Sequence, residues 1–198
     1  MTYDLIPALA GFAFVSSITP GPNNLMLMAS GANFGFWRSI PHMLGIGIGF
    51  TIMIILVGLG LIRLFDLFPL SYTILKVFSI AYLTWLAWKI ANAAPPKTGE
   101  SSGTPMTFVQ AALFQWVNPK AWSMALTAIT AYAPERTVWS ILLVGLVFGV
   151  INLPCVSTWT VMGQQIRRLL SRPRWLRAFN IGMAVLLLLS ALPVLLLK

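Results

Sequence analysis

The 198-residue chain is 58% hydrophobic and only 9% charged, where a soluble domain carries roughly a quarter charged residues to cover its surface. Its 13 Lys+Arg against 4 Asp+Glu give a net charge of +9, and its mean hydropathy is +0.85. These proportions exclude an ordinary soluble enzyme and a disordered basic tail; the one cysteine, Cys155, excludes an intramolecular disulfide and a Cys-based metal cluster. What remains is an all-α polytopic membrane protein of one domain, 1–198.

A ~30 Å bilayer core takes about 20 helical residues to cross, and six stretches reach or approach that length: 5–33, 40–62, 70–91, 106–131, 138–163 and 178–197. The chain begins Met1-Thr2-Tyr3-Asp4, with an acid where a signal peptide carries Lys or Arg, so the first stretch reads as a retained helix. It is interrupted by Ser16-Ser17-Ile18-Thr19-Pro20-Gly21-Pro22-Asn23-Asn24. Two prolines remove two backbone donors and free the carbonyls of Ser16 and Ile18, and Gly21 between them allows unusual dihedrals. Continuous α-helix is not expected there, and irregular backbone at membrane depth is tolerated only where protein or a wet cavity satisfies it. Asn23 or Asn24 is expected to cap the second half-helix, whose positive end would face the break.

The second stretch is uncharged and carries Gly45 and Gly49, a small-xxx-small pair suited to close helix packing against the fifth. His42 at its start is read as an interfacial or capping histidine rather than a proton relay. The third ends in Trp85, Trp88 and Lys89, an interfacial belt. A polar linker, 92–107, follows. The fourth stretch is broken at Gln115-Trp116-Val117-Asn118-Pro119-Lys120: Pro119 frees the carbonyl of Gln115 and Asn118 offers a cap. Lys120 is the one ionisable residue deep in a span, at an insertion cost of ~2.5–3.5 kcal/mol, and no Asp or Glu lies within a span to neutralise it. The fifth carries Gly145 and Gly149, and Asn152-Leu153-Pro154 as a weaker third interruption.

Three signals recur at nearly constant offset. Pro119 lies 99 positions after Pro20, Gly145 and Gly149 lie 100 after Gly45 and Gly49, and Leu176-Arg177-Ala178-Phe179-Asn180-Ile181 lies 101 after Leu75-Lys76-Val77-Phe78-Ser79-Ile80. They predict two three-helix repeats, about 1–91 and 108–198, with helices one and four broken at Pro/Asn motifs. Three is odd, so the second repeat would enter from the opposite face: an inverted repeat, as in secondary transporters. Basic residues number eight on the side of connections one, three and five, among them Arg167, Arg168, Arg172, Arg174 and Arg177, against four on the other. The positive-inside rule then puts both termini outside. The Arg cluster is read as a topology determinant touching anionic headgroups, not a nucleic-acid site.

Thr19-Pro20-Gly21-Pro22-Asn23-Asn24, Asn118-Pro119-Lys120 and the segment Ala81–Lys89 resemble the signature motifs of the LysE/RhtB amino-acid exporters, most closely the cysteine and O-acetylserine exporter branch. The resemblance covers essentially the whole chain. It implies export of amino acids or close derivatives across the bacterial inner membrane, driven by the proton motive force, with no enzyme activity. Thr19, Pro20, Gly21, Pro22, Asn23, Asn24, Asn118, Pro119 and Lys120 are the expected substrate-binding residues. In that scheme the substrate carboxylate meets Lys120 and the half-helix N-termini, and its α-ammonium meets carbonyls freed by Pro20, Pro22 and Pro119. No cofactor, metal or nucleic acid is expected; the partners are a small-molecule substrate and the lipid bilayer, and a homo-oligomer is left open. The alternatives are an exporter of another small solute or cation, which would want clustered His, Cys or carboxylates, and a non-transporting assembly subunit, which would leave the twin breaks without a purpose.

Overall fold

A computed structural model describes residues 5–61, 67–68, 70–93, 104–169 and 173–190. Asp4, Arg63, Asp66, most of the 92–107 linker, Arg172 and the end of the sixth predicted span lie outside the described residues. Within them every regular element is helical: α1 (Ile6–Ile18), α2 (Pro22–Phe34), α3 (Phe36–Leu56, extended by a π turn Val57–Leu61), α4 (Leu70–Ala91), α5 (Phe108–Phe114, followed by a 3-10 turn Gln115–Val117), α6 (Pro119–Tyr132), α7 (Val138–Leu169) and α8 (Pro173–Leu189).

Local chemistry sets these boundaries. Proline stands in the first turn of α1, α2 and α6, where its missing N–H is no loss and its fixed φ suits the helix. A reciprocal capping box starts α5: the Gln110 N–H donates to Thr107 Oγ1 (3.2 Å) and the Thr107 N–H to Gln110 Oε1 (3.0 Å). Between α2 and α3 the chain turns on Gly35 alone, at φ 82°, a left-handed conformation that favours glycine. The Phe36 N–H there donates to Gln164 Oε1 of α7 (2.7 Å).

Phe36–Leu61, Thr73–Ala91 and Val138–Ile166 are long and apolar enough to cross a bilayer, while Ile6–Ile18 and Phe108–Val117 are apolar but shorter. With 13 residues each, α1 and α2 are about 20 Å long. Neither crosses a ~30 Å core alone. Large apolar side chains such as Ile52, Phe78, Leu113, Leu146 and Val150 point outward, a surface suited to lipid rather than water.

Three apolar clusters hold the bundle together. Leu9, Phe50, Trp122, Ile129 and Phe148 join α1, α3, α6 and α7. Leu25, Leu83, Phe114 and Leu187 join α2, α4, α5 and α8. Leu27, Ile46, Ala111 and Val156 join α2, α3, α5 and α7. Because lipid is as apolar as leucine, close approach and polar pairs must supply much of the association. The closest approach is α2 on α7: a Cβ at Gly31 would strike the Thr160 carbonyl, and one at Gly163 the Met28 carbonyl. Buried Asn33 donates to Asn180 Oδ1 of α8 (3.1 Å), and the Ser30 and Ser39 hydroxyls pair at 2.8 Å.

Three sequence expectations change. Gly145 and Gly149 do face the second span, at Ile55 and Thr51, but Gly45 and Gly49 face Phe108, Ala111 and Ala112 of α5 instead of the fifth span. Asn152-Leu153-Pro154 does not interrupt α7, which runs through it; a lone proline removes one ladder bond, and the turns on either side hold. His42 is not a cap: it is buried within the protein, and neither ring nitrogen has a hydrogen-bond partner. Cys155 is a buried packing residue, as expected.

Candidate functional site

The two predicted breaks are present and they meet. In the first, Thr19 is extended (φ −66°, ψ 147°), Gly21 is fully extended, and α2 restarts at Pro22. In the second, the 3-10 turn Gln115–Val117 ends at extended Asn118 (φ −93°, ψ 107°), and α6 restarts at Pro119.

The carbonyls freed at these breaks are not left open. Thr19 Oγ1 donates to Ser16 O (3.0 Å), Asn24 Nδ2 to Ser17 O (2.7 Å) and Thr19 O (2.8 Å), and Trp159 Nε1 of α7 to Ile18 O (3.0 Å). In the second break the Asn118 N–H donates to Gln115 O (3.2 Å). The expectation that proline-freed carbonyls stand ready for a substrate ammonium is therefore corrected: the chain's own donors hold them, because an orphaned carbonyl at this depth costs several kcal/mol.

Lys120 completes that accounting. Its side chain crosses from the second break to the first, and Nζ donates to Thr19 O (2.8 Å), Thr19 Oγ1 (2.9 Å) and Pro20 O (3.2 Å). An ammonium has three N–H groups, and here three oxygens receive them. The aliphatic stem passes over Gly21, where a Cβ would lie 2.6 Å from Lys120 Cδ and 3.1 Å from Nζ. Gly21 is thus required by the lysine above it and not by its own backbone angles. Gly21→Ala is expected to cost little stability, since a flexible side chain can move aside, yet to lower transport several-fold by lifting the ammonium off its oxygens; thermal melting and transport of the same preparation check the pair.

The asparagines take different parts from those expected. Asn118 is the cap of α6, its Oδ1 accepting from the Lys120 N–H (3.1 Å). Neither Asn23 nor Asn24 caps α2; Gly21 holds that position without a side-chain bond. Asn24 reaches back across the break, and Asn23 forms a reciprocal amide pair with buried Gln115, Nδ2 to Oε1 at 2.8 Å and Nε2 to Oδ1 at 3.1 Å. Pro20, Pro22 and Pro119 act by shaping the backbone.

Between the breaks lies a cavity of about 20 Å³, bordered by Ser17, Gly21, Asn23, Asn118, Lys120 and Asn152. That is room for a single water, which needs about 10–15 Å³. Asn152 of α7, buried, donates to Ser17 Oγ (3.1 Å), while its Oδ1 has no partner. Asn152, Trp159 and Ser17 are the residues that sequence reasoning underweighted. Their signal was polarity in apolar spans: a buried amide or indole N–H must find an acceptor.

Residues 14–198 match the family described as LysE type translocator. The cysteine/O-acetylserine efflux protein of Escherichia coli is 29% identical to the chain over 196 residues, 96% of this chain and 97% of that protein. The protein of the same name from Klebsiella pneumoniae is 30% identical over 172 residues, 85% and 87% of the two chains. No solved structure matches significantly. The chain belongs to the LysE type translocators, and so is a multi-pass membrane transport protein and not an enzyme.

Proposed function

We propose that this chain is a secondary-active exporter of small amino acids or amino-acid derivatives, working by alternating access across the bacterial inner membrane around the paired breaks. The observation that carries the reading is the Lys120 ammonium resting on the oxygens of Thr19 and Pro20: a built ammonium site from one half, filled by a cation from the other. A substrate α-ammonium takes those oxygens in exchange, and the released Lys120 meets the substrate carboxylate. The exchange loses no hydrogen bond, which keeps it reversible. Asn23, Asn24 and Asn118 shape the site with Pro20, Gly21, Pro22 and Pro119, and the unpartnered Asn152 Oδ1 offers a further acceptor. The names of the efflux relatives point to the same substrate class.

The transporter is one domain of six spans, two inverted repeats of about 1–91 and 108–198 joined by 92–107. The packing supports this: α1 lies on α7 as α5 lies on α3, and α4 lies on α8. The second half-helices break the likeness, for α2 packs broadly on α7 while α6 touches α3 thinly. Unequal packing of equivalent halves is what one state of a rocking pair requires. The excess of basic residues on one side supports termini on the outer face.

Overexpression in cells challenged with amino acids and O-acetylserine, with mass spectrometry of the medium, tests the function. Enrichment of an amine-carboxylate solute over a vector control is expected. Enrichment of a different solute, or of none, overturns the reading in favour of another cargo or of a non-transporting role.

A further inference from the structure

A second, larger cavity of about 390 Å³ opens beside the C-terminal half of α2, within the size range of small-molecule sites. Its walls include Ser30 and Asn33 of α2, His42 of α3, Leu86 and Lys89 of α4, and Met106 before α5. His42 is 2% exposed and neither imidazole nitrogen has a partner. A buried polar group is normally paired, and one left open beside a cavity needs an explanation. A packing role does not provide one, because Phe would fill the same space without the unmet donor and acceptor.

We propose that this cavity is a second substrate site, an intake chamber that receives the amino acid before it reaches the paired breaks, with His42 as its polar anchor. The inference rests on the amino-acid reading given above. A neutral imidazole presents one donor and one acceptor, which suits a zwitterion carrying a carboxylate and an ammonium. Lys89 supplies a cation at the exposed rim, where its Nζ lies 5.2 Å from the Trp85 ring centroid, and Leu86 and Met106 supply an apolar wall for a short side chain. The chamber and the central site border the same helix. Asn24 and Ser30 both belong to α2, six residues apart, or about 9 Å along its axis. The central cavity admits one water and this one admits a solute, so the larger is where substrate waits. Lys89 lines it, and the Arg38 guanidinium lies 5.6 Å from the ring centroid of Phe34, another of its walls.

The test uses the full-length protein in proteoliposomes with O-acetylserine as probe. His42→Phe is expected to raise the half-saturating concentration for transport at least tenfold, with the maximal rate at matched protein within twofold. His42→Gln, which keeps a donor and an acceptor, should stay within threefold of the parent. If His42 only fills space, His42→Phe will melt higher and transport with unchanged half-saturation, and the chamber falls. Should His42→Phe fail to fold, an Asn92→Cys variant in a Cys155→Ser background reads the same site from its mouth. Saturating O-acetylserine is expected to slow its alkylation at least fivefold, and to do so equally when Lys120→Met disables the central site. No slowing, or slowing that vanishes with Lys120→Met, overturns the second site. Transport by the parent protein with half-saturation indifferent to His42 removes the chamber and leaves the exporter standing. Absence of transport of any amine-carboxylate solute removes both.

Discussion

Lys120→Met is expected to reduce export by about 100-fold or more while the protein still inserts and folds. The substitution keeps the length of the side chain and removes its three hydrogen bonds to Thr19 and Pro20. A hydrogen bond to a charged group is worth about 1.5–3 kcal/mol, and 100-fold corresponds to about 2.7 kcal/mol. Folding should survive because the losses are offset: an ammonium within a span costs up to ~2.5–3.5 kcal/mol to insert, a cost that methionine removes. Thr19 O also keeps its bond from Asn24, and Thr19 Oγ1 its bond to Ser16 O. Lys120→Arg should not restore transport. A planar guanidinium cannot gather three donors at one point as an ammonium does. Radiolabelled uptake into inverted vesicles, normalised to membrane abundance by blotting, checks both variants. Transport by Lys120→Met within twofold of the parent would remove the lysine from the mechanism.

Gly163→Val is expected to abolish the folded protein. At this position α7 meets α2 backbone to backbone, the atoms in the way being the Met28 carbonyl and the Ala32 nitrogen. Main-chain atoms inside a helix cannot step aside as a lysine chain can. Overpacking usually costs about 1–3 kcal/mol, and here the strain falls on the broadest helix contact in the bundle as well as on the paired Gly31–Thr160 approach. Gly163→Ala should be milder but still destabilising. Fluorescence-detected size exclusion of detergent extracts reads the result as loss of the monodisperse peak; a normal peak for Gly163→Val would mean that the two helices are not so close.

What could be read from the chain was whatever a single residue's covalent chemistry dictates. Proline has no N–H, so Pro20, Pro22 and Pro119 announced both breaks. The Asn118 cap followed from the same local logic. Partner choice did not. Asn23 and Asn24 carry the right side chain for a cap, but Pro22 at the first helical position hands the capping place to Gly21, and the two amides turn instead to Gln115, Ser17 and Thr19. The Gly45 and Gly49 pair announced a close approach without saying to what, since any small-residue stripe accepts any helix. The meeting of Lys120 with Thr19, 101 positions away, is set by how the two halves dock. The capping role expected of His42 failed for a related reason: nothing local reveals that it is buried at the wall of a cavity shared by α2, α3 and α4.

The hollow between the breaks, no bigger than a water molecule, bears on how a cell can tolerate such a protein in abundance. A hydrated ion does not fit this hollow, so an exporter of the kind proposed would work in this form as a turnstile and not a pipe. On that reading, cells crowded with it would keep their sodium and potassium gradients, and would spend only what each passenger's passage costs.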